Sequence, residues 1–238
     1  MSKPQIVPPP PEGENLVSKL AQLYRHRFPE DIQDQRTDIW KILCKDWFSR
    51  WIPPTARVLE VGTGYCEFIN NVVAAEKVGV DLNPESKVRA APDVRIHLIS
   101  ADRLTDVLPK DYFDVVFMSN FLEHCASKDH VLEVLRASRA VLKPGGRILI
   151  LGPNYRYCSE RYYDFFDHHV ALTDLSMTEG LDIAGFELEK VDPRTLPLTF
   201  RTRFRPPPIL ARAYLRMPFV WPLFGVQFFI VGRKPAEG

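Results

Sequence analysis

Four cysteines in 238 residues are too few and too scattered for a disulfide framework. Cys44, Cys66, Cys125 and Cys158 form no C-x-x-C pair, which also argues against structural zinc and reads as a reduced, intracellular chain. An excess of one charge is missing too: 31 Lys and Arg face 30 Asp and Glu. No global field therefore gathers nucleic acid, and none is expected as a partner. The opening MSKPQIVPPPPEGEN has no apolar run behind a basic head, so no secretory leader is expected. Long apolar runs are also absent. The most apolar stretch, residues 217–232, is broken by Pro222, Gly225 and Gln227, and it is shorter than the roughly 20 residues that a spanning helix needs. These absences predict a cytoplasmic protein. No internal repeat is visible. The proline-rich residues 1–14 are expected to be a disordered tail.

What is present suits one α/β domain with additions: 45% hydrophobic and 26% charged residues. Residues 15–54 read as an N-terminal helical cap. In IWKILCKDWFSRWI, Ile39, Trp40, Leu43, Trp47 and Trp51 recur at helical spacing, and Pro53 and Pro54 end the run. The texture then changes to short apolar strands at RVLEVG (57–62), KVGVDLN (77–83), VRIHLIS (94–100), FDVVFMS (113–119) and RILILG (147–152). Helical patterns separate them. One carries Phe68, Ile69, Val72 and Val73 on one face, and another starts at a Ser127 cap and stops at KPGG. Such alternation predicts a parallel sheet covered on both faces. Ser176 and Glu179 have capping-box spacing ahead of a short helix that Gly185 closes. FELEKV and GVQFFIVGRK read as two last strands.

The chemistry starts at VLEVGTGYCEF (58–68), a strand, a glycine turn and a helix. In a doubly wound sheet this turn lies at the carboxyl edge, where ligands bind. Gly62 and Gly64 permit a sharp turn and a close approach. Asp81 ends the next strand 19 positions after Gly62, a spacing that suits a carboxylate on ribose hydroxyls. A dinucleotide fingerprint would place its third glycine at 67, where this chain has Glu67. There and at Glu60, negative charge would repel a pyrophosphate and favour a cation such as S-adenosylmethionine. Glu67 reads equally well as a solvated helix-end charge. Asp102 reads as an acceptor for an adenine amino group or as a helix cap. Asn120 stands at the crevice mouth, and His124 reads as a packed helix histidine.

In order, VLEVGTGYCEF, VGVDLN, ADRL, FDVVFMSNFLEH and LKPGGRILILGPN resemble the class I S-adenosylmethionine-dependent methyltransferases over roughly residues 36–234. The resemblance implies a Rossmann-like, doubly wound sheet of seven strands with the last strand antiparallel, in a domain spanning 55–238. It implies a cofactor loop of Glu60, Gly62, Thr63 and Gly64, a ribose held by Asp81 beside Leu82, adenine at Asp102 and the methionine side at Asn120. RTDIWKIL, YYDFFDHHVALTD and RTLPLTFRTR are similar to a bacterial subgroup of that family. Where the family loop reads G-x-G-x-G this chain has Cys66, whose side chain is expected to narrow the space near the cofactor. No N-P-P-[FY] follows the fourth strand, so the usual cue for methylating a base or amide nitrogen is missing.

The acceptor side is expected in an insertion at about 153–220. DFFDHHVALTD (164–174) follows the fifth strand on the same edge as the glycine loop. A hydroxyl acceptor gains from a base near neutral pH, and His168 and His169 are the candidates. No metal is expected: adjacent histidines point in different directions and no C-x-x-C or H-x-x-x-H supports them, although Asp164 and Asp167 leave a divalent-cation site open as the lesser reading. The rival roles are loop orientation and packing against Phe165 or Phe166. Further on, Arg201, Arg203 and Arg205 recur at period two, and Ile209, Leu210, Ala213, Tyr214 and Met217 share a helical face opposite Arg212 and Arg216. Such a segment, 201–217, reads as a lid, a dimer contact or a peripheral membrane contact. The functions left open are methyl transfer to a small-molecule, sugar or lipid-linked acceptor, foremost on oxygen; an NAD-dependent oxidoreductase; and a silent S-adenosylmethionine-binding protein.

Overall fold

Seven strands form one sheet in the order β3-β2-β1-β4-β5-β7-β6. A computed structural model describes residues 30–197 and 207–236. The expected tail 1–14 and Arg201, Arg203 and Arg205 lie outside the described residues. In chain order the elements are α1 (Glu30–Asp46), β1 (Arg57–Val61), α2 (Glu67–Asn71), β2 (Glu76–Val80), α3 (Glu85–Arg89), β3 (Val94–His97) and β4 (Phe113–Ser119). They continue with α4 (Lys128–Val141), β5 (Leu142–Pro153), α5 (Tyr155–Tyr162), α6 (Asp174–Ile183), β6 (Glu187–Asp192), α7 (Pro208–Arg216), α8 (Trp221–Phe224) and β7 (Gln227–Arg233). The first five strands are parallel, and β7 runs antiparallel between β5 and β6. All five parallel strands thus end at one edge.

Each central strand is buried on both faces, as its unbroken apolar run predicts. Leu59, Val61, Val116 and Met118 meet α4 and α6 on one side. Val58, Val115 and Phe117 meet α1 and α2 on the other. The second core is aromatic. Phe68 and Phe117 stack at 3.7 Å, and Phe48 lies against Trp40, Trp47, Phe68, Phe117 and Phe229. The helix expected as an N-terminal cap therefore shares a core with the sheet.

Several local expectations shift. The helix behind the glycine loop is only five residues long. The Asn71 amide donates back to the Glu67 carbonyl and Asn70 to that of Arg89, side-chain bonds that compete with helix continuation. Val72 is extended, and Val73 lies 70% exposed and not on a buried face. Thr173, and not Ser176, caps α6; Ser176 is its partner in a reciprocal capping box. Ser127 caps α4 as expected, accepting from the His130 N–H. On α7 the inward residues are Leu215, Ala211 and Tyr214, while Ile209 and Leu210 face solvent and Arg212 pairs with Asp46. All four cysteines are free and buried. No helix of the described residues is long and apolar enough to cross a membrane.

Phe48 joins five rings at zero exposure, so Phe48→Ala should cost about 3–5 kcal/mol. The check is the urea midpoint at unchanged slope; a loss below about 1 kcal/mol would mean the aromatic core re-closes.

Candidate active site

The turns that follow β1, β2, β3 and β4 and the end of β5 line one cavity of about 380 Å³. That volume suits a small-molecule site. Its position at the carboxyl edge is where open α/β sheets bind ligands. Gly62 and Gly64 are left-handed, at φ +76° and +52°. A Cβ on Gly62 would come within 2.5 Å of the Phe121 ring, so the turn needs glycine for conformation and for space.

Cys66 is left-handed as well, at φ +63°. Its thiol points out of the cavity and donates to the Ser86 carbonyl at 3.3 Å. It is absent from the cavity wall. The expected narrowing does not occur, and burial pushes this thiol up to about 12. The family's glycine at this position is explained by the positive φ.

Glu60, Thr63, Gly64, Asp81, Leu82 and Asn120 all line the cavity. Asp81 accepts from the Gly64 and Asn83 backbone N–H groups, both at 2.7 Å, and so ties the glycine loop to the second turn. Burial nevertheless raises its pKa. Asn120 has φ +48°, an uncommon conformation for a side-chain-bearing residue, held by its N–H bond to the Leu151 carbonyl. Glu60 is buried and accepts from the Ile69 N–H at 3.2 Å. Burial first, and then the charge of Glu67, raise its pKa well above the carboxylate range. Asp102 is not part of the wall. The Ser100 hydroxyl donates to it, and His130 approaches it at 3.8 Å. Ser100 and Ala101 line the cavity there instead.

The helical N-terminal segment reaches the same place. Arg36 on α1 pairs with Glu67 at 2.7 Å, and Trp40 completes that wall. The pair neutralises Glu67, so half of the charge reasoning against a pyrophosphate falls away and Glu60 carries the rest. Among the described residues Arg36 is nonetheless the only arginine or lysine on the wall, against five carboxylates: Glu60, Glu67, Asp81, Glu123 and Asp167. That donor set fits S-adenosylmethionine, whose sulfonium and ammonium are both cationic.

The opposite wall comes from the predicted histidine segment. His168 is buried and His169 exposed, so the neighbours diverge as expected, and both reach the cavity. The Glu123 carbonyl accepts from the His169 N–H at 2.9 Å and from Val170 at 3.2 Å, fastening this segment to the turn after β4. His168 stacks on Phe165 at 4.7 Å and meets Tyr162 edge-on at 4.8 Å. His124 was missed by sequence reasoning. Its Nδ1–H donates to the Asp167 carbonyl at 2.8 Å, the Asp167 carboxylate stands 3.3 Å away, and its ring meets that of His168 at 5.0 Å. The only available signal was its place just beyond the fourth strand.

A family model described as a methyltransferase domain matches residues 59–150. The ubiquinone/menaquinone biosynthesis C-methyltransferase UbiE of Vibrio vulnificus is 29% identical over 58% of this chain and 58% of its own length. A probable non-canonical nonribosomal peptide synthetase, CymA of Salinispora arenicola, is 33% identical over 54% of this chain but only 2% of its own length. The chain thus spans little more than half of the UbiE relative and a small fraction of CymA. A solved S-adenosylmethionine-dependent methyltransferase from Archaeoglobus fulgidus shares the fold at a TM-score of 0.59 and 23% identity, over 82% of this chain and 94% of that one. With the glycine loop, Asp81 and the seven-stranded order in place, the chain has the fold of the S-adenosylmethionine-dependent methyltransferases and carries a methyltransferase domain at residues 59–150, and S-adenosylmethionine is the cofactor this likeness implies.

Proposed function

We propose that this chain transfers the methyl group of S-adenosylmethionine to an oxygen of a small-molecule, sugar or lipid-linked acceptor. One observation carries the reading: the glycine loop and the His124–Asp167–His168 wall face the same cavity. The bound cofactor supplies an activated methyl group on a sulfonium. The chain's own task is chiefly alignment, which is worth several kcal/mol of the barrier.

Gly62, Thr63 and Gly64 give a cofactor close access to backbone. Glu60 offers a buried counter-charge. Asp81 presents its carboxylate at the loop, and Ser100 with Ala101 shapes the side assigned to adenine in place of Asp102. His168 is set to receive the acceptor hydroxyl, its ring held by Phe165 and Tyr162; His169 stands exposed at the opening. Carbon is the second reading for the acceptor atom, favoured by the likeness to a C-methyltransferase. An oxidoreductase using NAD is disfavoured by Glu60 and by the excess of carboxylates over cations among the described wall residues. A silent binding protein would bind the cofactor and transfer nothing.

The direct test incubates the chain with S-adenosylmethionine labelled in the methyl group and a fractionated cell extract. Label in one small-molecule or lipid fraction, attached through oxygen, is expected. Label on carbon would select the second reading, and no transfer from a cofactor that raises the Tm would select the silent one. With the acceptor in hand, His168→Ala should lower kcat by roughly 10²–10⁴, the scale of a lost acid–base group, and His169→Ala by less. Wild-type turnover in both would remove the histidines from the reaction.

Glu60 gives an independent prediction. Its pKa is raised in the folded chain, so its share of stability is intact below the ordinary carboxylate range and is lost as pH rises through the folded value. Glu60→Gln should therefore raise the Tm of the cofactor-free protein at pH 8 and leave it nearly unchanged at pH 4. The same variant should weaken S-adenosylmethionine by roughly 10–100-fold, since hydrogen bonds to charged groups are worth about 1.5–3 kcal/mol. A variant that is no more stable at pH 8 and binds the cofactor as tightly would refute this role.

A further inference from the structure

Glu123, His124 and His168 bring one carboxylate and two imidazoles together, with one ligand atom from each lying within 4.8 Å of the others. We propose that this trio binds a divalent transition-metal cation of the Zn²⁺, Co²⁺ or Fe²⁺ kind on the acceptor wall. Two imidazole nitrogens and one carboxylate oxygen suit such borderline ions better than Mg²⁺ or Ca²⁺. Three protein ligands also leave a position open for water or substrate, the pattern of catalytic and not structural sites. All three residues line the cavity, so that position faces it.

A second observation points to a ligand independently of the cluster. The partner of His124 Nδ1 is a backbone carbonyl, which can only accept, so Nδ1 carries the proton. The other nitrogen, Nε2, then keeps its lone pair. An Nδ1–H bonded to a carbonyl, with a carboxylate close by, is the outer-shell arrangement that orients metal-binding imidazoles. The expectation of no metal rested on the adjacency of His168 and His169 and on the lack of a C-x-x-C or H-x-x-x-H pattern nearby. The structure supplies partners from the turn after β4, 44 positions before His168 in the case of His124.

The supporting parts are rigid. The Glu123 carbonyl holds the His169 and Val170 N–H groups, so two ligand-bearing segments are joined through backbone alone. The rings of Phe165 and Tyr162 confine the His168 ring. Ligand atoms around a tetrahedral ion with bonds of 2.0–2.1 Å lie about 3.4 Å apart. The trio therefore has to close by up to about 1.4 Å, a rotamer-scale adjustment. Among the described residues no lysine or arginine stands on this part of the wall to compete with a cation.

The role of the ion rests on the reading of this cavity as the acceptor site; its binding does not. A cation here would polarise an acceptor hydroxyl, and His168 would serve the reaction as a ligand.

The full chain, stripped with a chelator, is titrated with Zn²⁺ by calorimetry and with Co²⁺ by visible absorption. One equivalent is expected, with Co²⁺ bands of nitrogen and oxygen coordination. Glu123→Gln and His168→Gln should each weaken Zn²⁺ by more than the roughly 10–100-fold that loss of an outer-shell partner costs, and Asp167→Asn by about that amount. His130→Gln, on the same cavity but outside the trio, should bind as the wild type does. Failure of the wild type to take up one equivalent would overturn the proposal, as would wild-type affinity in both Glu123→Gln and His168→Gln. The wild-type Co²⁺ spectrum keeps the test decisive if a variant does not fold. Stoichiometric uptake in a protein that methylates nothing would uphold the site and sink only the acceptor reading.

Discussion

The carbonyl oxygen of Glu123 holds the histidine-bearing wall of the cavity to the sheet. It accepts from two successive N–H groups, those of His169 and Val170. Together with the His124–Asp167 bond they fix the register of the segment from Asp164 to Leu172 against the turn after β4. The two Glu123 bonds are main chain to main chain, so they fix position without using a side chain. Three titratable side chains, those of Glu123, His124 and His168, are thereby left to face the cavity. Tyr162 adds a second tie, donating to the Val170 carbonyl at 2.6 Å and accepting from the Leu172 N–H. Wall geometry is thus carried largely by main-chain atoms, with the His124 side chain adding one bond to the Asp167 carbonyl, which suits a preorganised site.

The cofactor side is built on the opposite principle, because there the charges are part of the frame. Asp81 uses both carboxylate oxygens on backbone N–H groups. Glu67 is spent on Arg36, which brings α1 over the glycine loop. Glu60 is buried, and its raised pKa reports the cost of that burial. A buried carboxylate of this kind is destabilising in the empty protein unless a positive group arrives. The chain accepts that cost at the foot of the glycine turn.

Much of this was legible in the sequence, for identifiable reasons. The buried parallel strands were visible because both of their faces are apolar, which leaves continuous runs such as FDVVFMS. The glycine loop was visible because left-handed turns need glycine, and Asp81 because it ends the next strand. Cys66 misled for the same reason: a left-handed residue with a side chain looks like an obstruction until the thiol is seen to turn away. Asp102 lost its place on the wall to its own neighbours, Ser100 and His130, a local contest that spacing does not reveal. The α7 face was misassigned because its buried side is set by α1 and Asp46, which lie far off in sequence. His124 was invisible as a functional residue for a related reason. Its partner, Asp167, lies in the insertion, and no periodicity links the two.

The two ends of the cavity raise one electrostatic question, which is how a single pocket could hold two cations. Like charges a few ångströms apart in a partly dry site would repel strongly. The wall answers by dividing its carboxylates. Glu60 and Asp81 stand on the turns after β1 and β2, whereas Glu123 and Asp167 stand beyond β4 and in the insertion. Each end thus has its own negative charge, and the Arg36–Glu67 pair adds no net charge. If the acceptor wall held only histidines, a cationic cofactor would meet imidazolium whenever a proton was taken up there. With Glu123 beside the rings, positive charge on that wall, whether proton or metal ion, is compensated locally. The carboxylate beside the histidines therefore belongs to the same design as the one beneath the glycine loop.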